Sequence, residues 1–569
     1  MARALRGFPF TEESLQAATD IHPAIVFEPD GYRTDGARLM GRQAAGLGFL
    51  RAAVAASRGR PLAGYTARKA SADSFAKTVA EIDPQARAQW LNPLRPDALQ
   101  QLGHLYTPGP GIGELALQRL RVGTHAWSIT GVTHTTASHG VMDSLVELPI
   151  APVMPWDAVI CTSHAVRGTV ETVLEAQRDY LAWRFGEKPR QWSLPQLPVI
   201  PLGVHCADFE FGAQERRAAR ESLRVAADEV VALFVGRLSF HAKAHPHAMY
   251  AALEAAAQRS GHKVVLVQCG WFANDAIDRA FREGAAATCP SVRCVFTDGR
   301  DERARRASWA AADLFISLSD NIQETFGLTP IEAMAAGLPV LVTDWDGYKD
   351  TVRDGVDGFR IATWTPPAGA GERLAWTHEA DVDSYDFYCG LTCQFVALDR
   401  AMLADRLCLL VQDEALRRRM GDAGRARARE AYDWAVVYRA YQSLWAQLGE
   451  LRPREAPAAP RASPARLDPF TAFAHYPTHR IAPATLARRR AGANAHDYAP
   501  LAGMAIFSYA AREQPSADGF ARIWAALGEG GASAEAVATA CGATFAETAR
   551  ALAMLAKMGL VELADRSGE

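Results

Sequence analysis

The sequence predicts an α/β protein of two successive doubly wound domains with a small helical module after them. Three observations carry this. Short apolar runs bounded by turn residues alternate with helix-length amphipathic stretches. The alternation occurs as two sets, before and after about residue 205–227. Beyond residue 450 the composition changes abruptly. Continuous apolar strands separated by helices imply a parallel sheet covered on both faces, and two sets imply two such sheets.

In the first set, "HLYTPG", "THAWSITGVTHT", "DAVICTS" and "QLPVIPLGV" read as strands. "GELALQRLR" and "SHAVRGTVETVLEAQRDYLAW" read as helices between them. The second set is clearer: "EVVALFVGR", "HKVVLVQCG", "SVRCVFTDG", "DLFISLSD" and "LPVLVTD" are strands, with helices near 244–259, 273–287, 301–311 and 329–336. A helical stretch from about 400 to 448 closes this part. The implied division is 1–210 and 211–432 for the two α/β domains, with a helix at 433–450 returning to the first. Residues 451–515 open on a Pro-, Ala- and Arg-rich run and read as a linker. Residues 516–569 read as three amphipathic helices of helix-turn-helix or winged-helix-like type, the third opened by a Thr544–Glu547 capping box.

Composition excludes several functions. The formal net charge is −3 over 569 residues, far from the basic excess of a nucleic-acid binder. The C-terminal module carries four Lys or Arg against seven Asp or Glu, so docking or self-association is expected of it rather than DNA binding. Nine scattered cysteines, an odd number inside apolar runs, read as reduced core thiols. Cys389 and Cys393 lack a second pair for zinc, and His241, His245 and His247 lack acidic or cysteine neighbours, so solvated loop histidines are expected. With no secretory leader and no apolar run of membrane-spanning length, a cytoplasmic protein is expected, with peripheral contact at the inner membrane face allowed.

The most informative stretch is "QETFGLTPIEAMAAGLPVLVTD", residues 323–344. It runs from a loop at the carboxyl end of a predicted strand into a helix, where open parallel sheets bind ligands. Gly327 allows close backbone approach, Thr329 is a natural N-cap and Pro330 suits the first helical turn. The amides of Leu328 and Thr329 then form an anion site, and the nearby carboxylate of Glu324 can accept sugar hydroxyls. Glu332 has two readings: a ligand for hydroxyls, or the partner of Thr329 in a capping box.

This stretch resembles the Glu-x7-Glu signature of the retaining, nucleotide-sugar-dependent glycosyltransferases of GT-B fold, family 4. "FVGRLSFHAK", "AADLFISLSD", "DGVDGFRI", "DAVICTSHAVR" and "VIPLGVHCADF" agree with it in order. The resemblance covers about residues 100–448 and implies two Rossmann-like domains facing across a cleft. It assigns Glu324 to the transferred sugar, and Glu332 to the nucleotide ribose. Phe326, Gly327, Leu328 and Thr329 meet the donor. Gly236, Arg237 and Lys243 meet the leaving diphosphate, although the glycine usual after the lysine is missing. His134 is matched to a histidine that touches the donor sugar, the alternative being part of a helix-capping cluster. Gly41, in 35–50, is placed at an N-terminal loop near the diphosphate.

The resemblance implies no cofactor and no metal: the nucleoside diphosphate sugar, UDP- or GDP-linked, is the donor substrate. The acceptor is a glycan, a lipid-linked molecule or a protein. Residues 516–569 are expected to serve a homo-oligomer or a protein partner, with no nucleic acid involved. The alternative is a catalytically silent scaffold acting through that module.

Overall fold

The computed structural model describes residues 21–32, 41–187, 193–455 and 457–564. They form two compact units, 1–463 and 464–569 by chain position.

The first unit holds two six-stranded, wholly parallel sheets. Strands β1 (Ala24–Val26), β2 (Leu62–Tyr65), β3 (Ala88–Leu91), β4 (His104–Tyr106), β5 (Ser128–Val132) and β6 (Ala158–Ile160) lie in the order β3-β2-β1-β4-β5-β6. Strands β7 (Val230–Val235), β8 (Val264–Gly270), β9 (Arg293–Asp298), β10 (Leu314–Ser317), β11 (Val340–Thr343) and β12 (Gly358–Ile361) lie in the order β12-β11-β10-β7-β8-β9. Each order reverses beside its first strand, which opens a ligand crevice at the carboxyl ends next to β1 and β7. Every residue of β7, β8, β10 and β11 is buried, which is why these strands read as uninterrupted apolar runs.

The strands β1 to β3 escaped the sequence reading: they are only three or four residues long, and β3 is half-exposed. "QLPVIPLGV" is not a strand of either sheet; it makes single bridges at Gln196, Val199 and Val204.

Helix Trp434–Leu451 crosses back onto the first sheet. Trp434 is wedged against helix Gly41–Ser57: a Cβ on Gly48 would lie 2.4 Å from its Nε1, and one on Gly203 2.6 Å from its ring. Tyr441 and Trp445 pack on Tyr106 of β4, and one apolar cluster runs from there into the second sheet. Deeper in the first domain, Arg119 and Asp157 form a fully buried bidentate pair. Asp157 also accepts the amides of Ile129 and Met154, so the paired charges are hydrogen-bonded as burial demands.

The second unit differs from a linker followed by an all-helical module. Helices Ala517–Leu527, Ala534–Cys541 and Phe545–Lys557 are present, with the Thr544–Glu547 capping box. They are joined by an antiparallel sheet in which Leu486–Arg489 lies between Ala532–Ser533 and Val561–Ala564. The central strand comes from the stretch read as linker, because Ala487 fills the module's core and Tyr498 stacks on Phe520 at 4.2 Å. Among the described residues no helix is long and apolar enough to cross a membrane.

Candidate active site

The stretch 323–335 sits at the carboxyl end of β10, beside the crevice. Helix Leu328–Ala335 starts one residue earlier than expected, with Gly327 at the N-cap at φ +84° and no side-chain cap. Thr329 therefore lies inside the first turn and does not cap, and the Thr329–Glu332 box is not made; this corrects that reading of both residues. The cause is Tyr348: a Cβ at Gly327 would fall 2.0 Å from its ring, so only glycine can make the turn at this place. Tyr348 is fully buried and exchanges a hydrogen bond with Ser317 at 3.0 Å. Phe326, also buried, anchors the loop against Tyr432. The first turn leaves the amides of Leu328 and Thr329 without acceptors within the helix.

Across the crevice, β7 is followed by Gly236 at φ +152°, a backbone state L side chains avoid. Arg237 follows it. Its guanidinium donates to the Ala242 carbonyl at 3.2 Å and the Gln323 amide oxygen at 3.3 Å. Lys243 donates to Glu324 Oε2 as a charge-assisted pair, the two side chains 28% and 10% exposed. Glu332 senses the charges of Arg305 and Lys243, but burial dominates and holds its carboxyl up at about 7. The ammonium of Lys243 thus acts on both glutamates of the motif, and Arg237 braces the residue before the first.

Two further carboxyls gather here that the sequence reading missed. Asp346 follows β11 and is pushed up to about 8 by burial and then by the Glu324 charge. Asp320 follows β10 and is raised to about 7 by burial. The signal was present in sequence: both are acids just past the carboxyl end of a buried strand, where crevice residues sit.

The first domain reaches this loop directly. Thr325 donates its hydroxyl to the His134 carbonyl at 2.6 Å, and Ser163 donates to the Thr325 carbonyl at 2.9 Å. The His164 amide donates to Asp350 at 2.7 Å. His134 is thereby held by its backbone at the residue next to Glu324. The helix after it starts at His139 with Ser138 as its N-cap, so Thr135 and Thr136 do not cap. His241 and His245 are half-buried rather than solvated, because helix Tyr385–Cys393 covers their loop: a Cβ on Gly390 would lie 2.8 Å from that of His241. Gly41 is the exposed first residue of its helix; residues 33–40, most of the loop expected to precede it, lie outside the described residues.

The family model described as Glycosyl transferases group 1 matches residues 215–372, from before β7 to beyond β12. A D-inositol 3-phosphate glycosyltransferase of Nocardia farcinica is 32% identical over 182 residues, 31% of this chain and 39% of its own length. A phosphatidyl-myo-inositol mannosyltransferase of Mycobacterium leprae is 33% identical over 138 residues, 24% of this chain and 27% of its own. The chain thus spans well under half of these relatives. Among solved structures, HepE of Anabaena in complex with UDP-glucose aligns at 17% identity over 76% of this chain and 99% of its own, with a TM-score of 0.44. The matched residues hold both the Glu324–Glu332 loop and the β7 loop at the carboxyl ends of a doubly wound sheet, so the similarity to the glycosyl transferases group 1 spans this half of the candidate site.

Proposed function

We propose that the protein is a retaining glycosyltransferase that moves a sugar from a nucleoside diphosphate sugar to an acceptor hydroxyl. The observation that supports this best is the convergence of Lys243, Arg237, Glu324 and Glu332 at one sheet edge. Two cations there suit a diphosphate, and two carboxylates suit hydroxyl groups. The ribose lies on Glu332, the diphosphate between the Leu328–Thr329 amides and Arg237 with Lys243, and the sugar on Glu324 and His134.

Departure of the diphosphate leaves negative charge on its oxygen and an oxocarbenium-like sugar. Fixed cations that meet the growing charge stabilise the transition state more than the ground state. The acceptor attacks from the face the diphosphate leaves, and its proton passes to a diphosphate oxygen. This gives retention without a protein nucleophile. Because Arg237 and Lys243 supply the positive charge, turnover is expected to survive chelation. The names of the relatives make a phosphorylated inositol or an inositol lipid the first acceptor class to try.

The test is a panel of UDP-, GDP-, ADP- and dTDP-sugars, read by thermal stabilisation and by release of free nucleotide. A donor at about 100 times its Kd adds about 2.7 kcal/mol of stability. The expected result is one donor class that stabilises wild type and is lost in Arg237→Ala, with Glu324→Ala abolishing turnover. No stabilisation by any donor would overturn the reading and leave the scaffold role.

A further inference from the structure

Between β12 and helix Arg400–Gln412 the chain makes an excursion of two helices, Glu372–Glu379 and Tyr385–Cys393. Its two ends are tied by an antiparallel pair, Thr363–Trp364 with Ala397–Leu398. One side of this hairpin lies on the loop that carries Lys243: Gly390 abuts His241, and the Cys393 thiol points to the Phe240 carbonyl at 3.7 Å. The other side reaches the first domain twice. The Tyr385 hydroxyl is 3.3 Å from the Thr135 hydroxyl, and the His378 ring stacks on His139 at 3.8 Å and on Tyr388 at 4.4 Å.

The hairpin also touches the reaction machinery. The Gln323 side chain accepts a hydrogen bond from Arg237 through its oxygen and lies close enough to the Tyr385 hydroxyl to act on it. Polar side chains therefore succeed one another from Thr135 through Tyr385 and Gln323 to Arg237, bonded at either end, from the first domain to the guanidinium beside the motif. Burial pushes the Tyr385 hydroxyl up to about 12, so it keeps its proton near neutrality and one of its two neighbours receives it. A hairpin that merely shielded apolar surface would have no need of this chain. Parting the domains must break both the Thr135–Tyr385 bond and the histidine stack.

We propose that the hairpin 363–398 is an interdomain latch of the donor site and that Tyr385 is its positioning residue, orienting Arg237 through Gln323 while holding the first domain through Thr135. The proposal rests on the transferase reading for what Arg237 binds. Domain closure and cation placement are then one event: when the Thr135 bond forms, the Gln323 amide is fixed and the guanidinium faces the diphosphate.

Two variants, Tyr385→Phe and Thr135→Val, keep ring and side-chain volume and remove the bond from either side. In hydrogen–deuterium exchange on the full chain without donor, segments 133–139 and 240–244 are expected to exchange several-fold faster in each variant, with Tm nearly unchanged. With the donor found by the panel above, donor KM is expected to rise about fivefold, the factor that one ordinary hydrogen bond supplies. The double variant should be no worse than Tyr385→Phe alone, since that variant already loses the bond that Thr135→Val removes. Unchanged exchange in 133–139, or additive losses in the double variant, would overturn the latch. If no donor binds wild type, the transferase reading fails and with it the role assigned to Arg237, while exchange still decides whether the hairpin holds the domains.

Discussion

Glu332 offers a sharp test, because its chemistry without ligand and its proposed chemistry with ligand oppose each other. Burial holds its carboxyl at about 7 against an ordinary 4.5, so it carries a proton through the mildly acidic range. Ribose hydroxyls are donors and favour the ionised form. Binding a nucleotide sugar must therefore drive the proton off. Below about pH 7 each unit of acid weakens binding about tenfold, so donor affinity at pH 6 should be about tenfold below that at pH 8. The donor is the right probe, since its diphosphate diester does not titrate in this range. The assay is calorimetry in buffers of different ionisation enthalpy, which reads proton release directly: nearly one proton at pH 6, falling toward none at pH 8. Glu332→Gln should bind more weakly at pH 8 and lose the pH dependence that Glu332 contributes. Equal proton release from Glu332→Gln and wild type would refute the assignment. The sign for stability is the reverse. The raised carboxyl holds more protons in the native than in the unfolded state, so its contribution is full below about pH 4.5 and is lost as pH rises through about 7. By melting temperature in the absence of donor, wild type should lose ground to Glu332→Gln over that window, by up to roughly 3 kcal/mol.

Three further outcomes follow from the packing. Gly327→Ala forces a Cβ into the Tyr348 ring at φ +84°; the left-handed backbone alone costs about 1–2 kcal/mol, so Tm should drop and donor stabilisation should vanish, both read in one thermal-shift series. Trp434→Ala empties the wedge against Gly48 and Gly203 and should cost about 3–5 kcal/mol in denaturant unfolding, while leaving every residue of the Glu324 loop in place. A chain ended at residue 463 loses only the second compact unit and should keep the full donor-dependent rise in Tm; its loss would give residues 464–569 a part in donor binding.

The second sheet was legible because burial on both faces makes β7, β8, β10 and β11 visible apolar runs, and because its acids and glycines fall where strand ends fall. Strands β1 to β3 were not, since three or four residues with a half-exposed edge give no period to detect. Thr329 shows a different limit. Its local signal for a cap is sound, but a tertiary contact overrides it: Tyr348 leaves room only for glycine two residues earlier, and the helix is capped there instead. In the second unit, Ala487 and Tyr498 were hidden in a stretch whose composition reads as linker, because a single small residue buried at a sheet centre leaves no compositional trace.

The hairpin 363–398 was the least legible element, and the reason bears on function. Its helices are eight and nine residues long and its exposed aromatics, Trp376 and Phe387, blur any amphipathic period. What makes it cohere is contact with neighbours distant in sequence: His139, Thr135 and the Phe240–His241 loop. An element that owes its structure to two domains at once is sensitive to the distance between them. The motif residues, by contrast, follow directly on β10 in the chain, so the strand that places them is also the one that announces them in the sequence. Site chemistry was therefore readable from local sequence, whereas the contacts that tie the site to the first domain, Thr325 with His134 and Tyr385 with Thr135, join residues far apart in the chain and leave no local pattern.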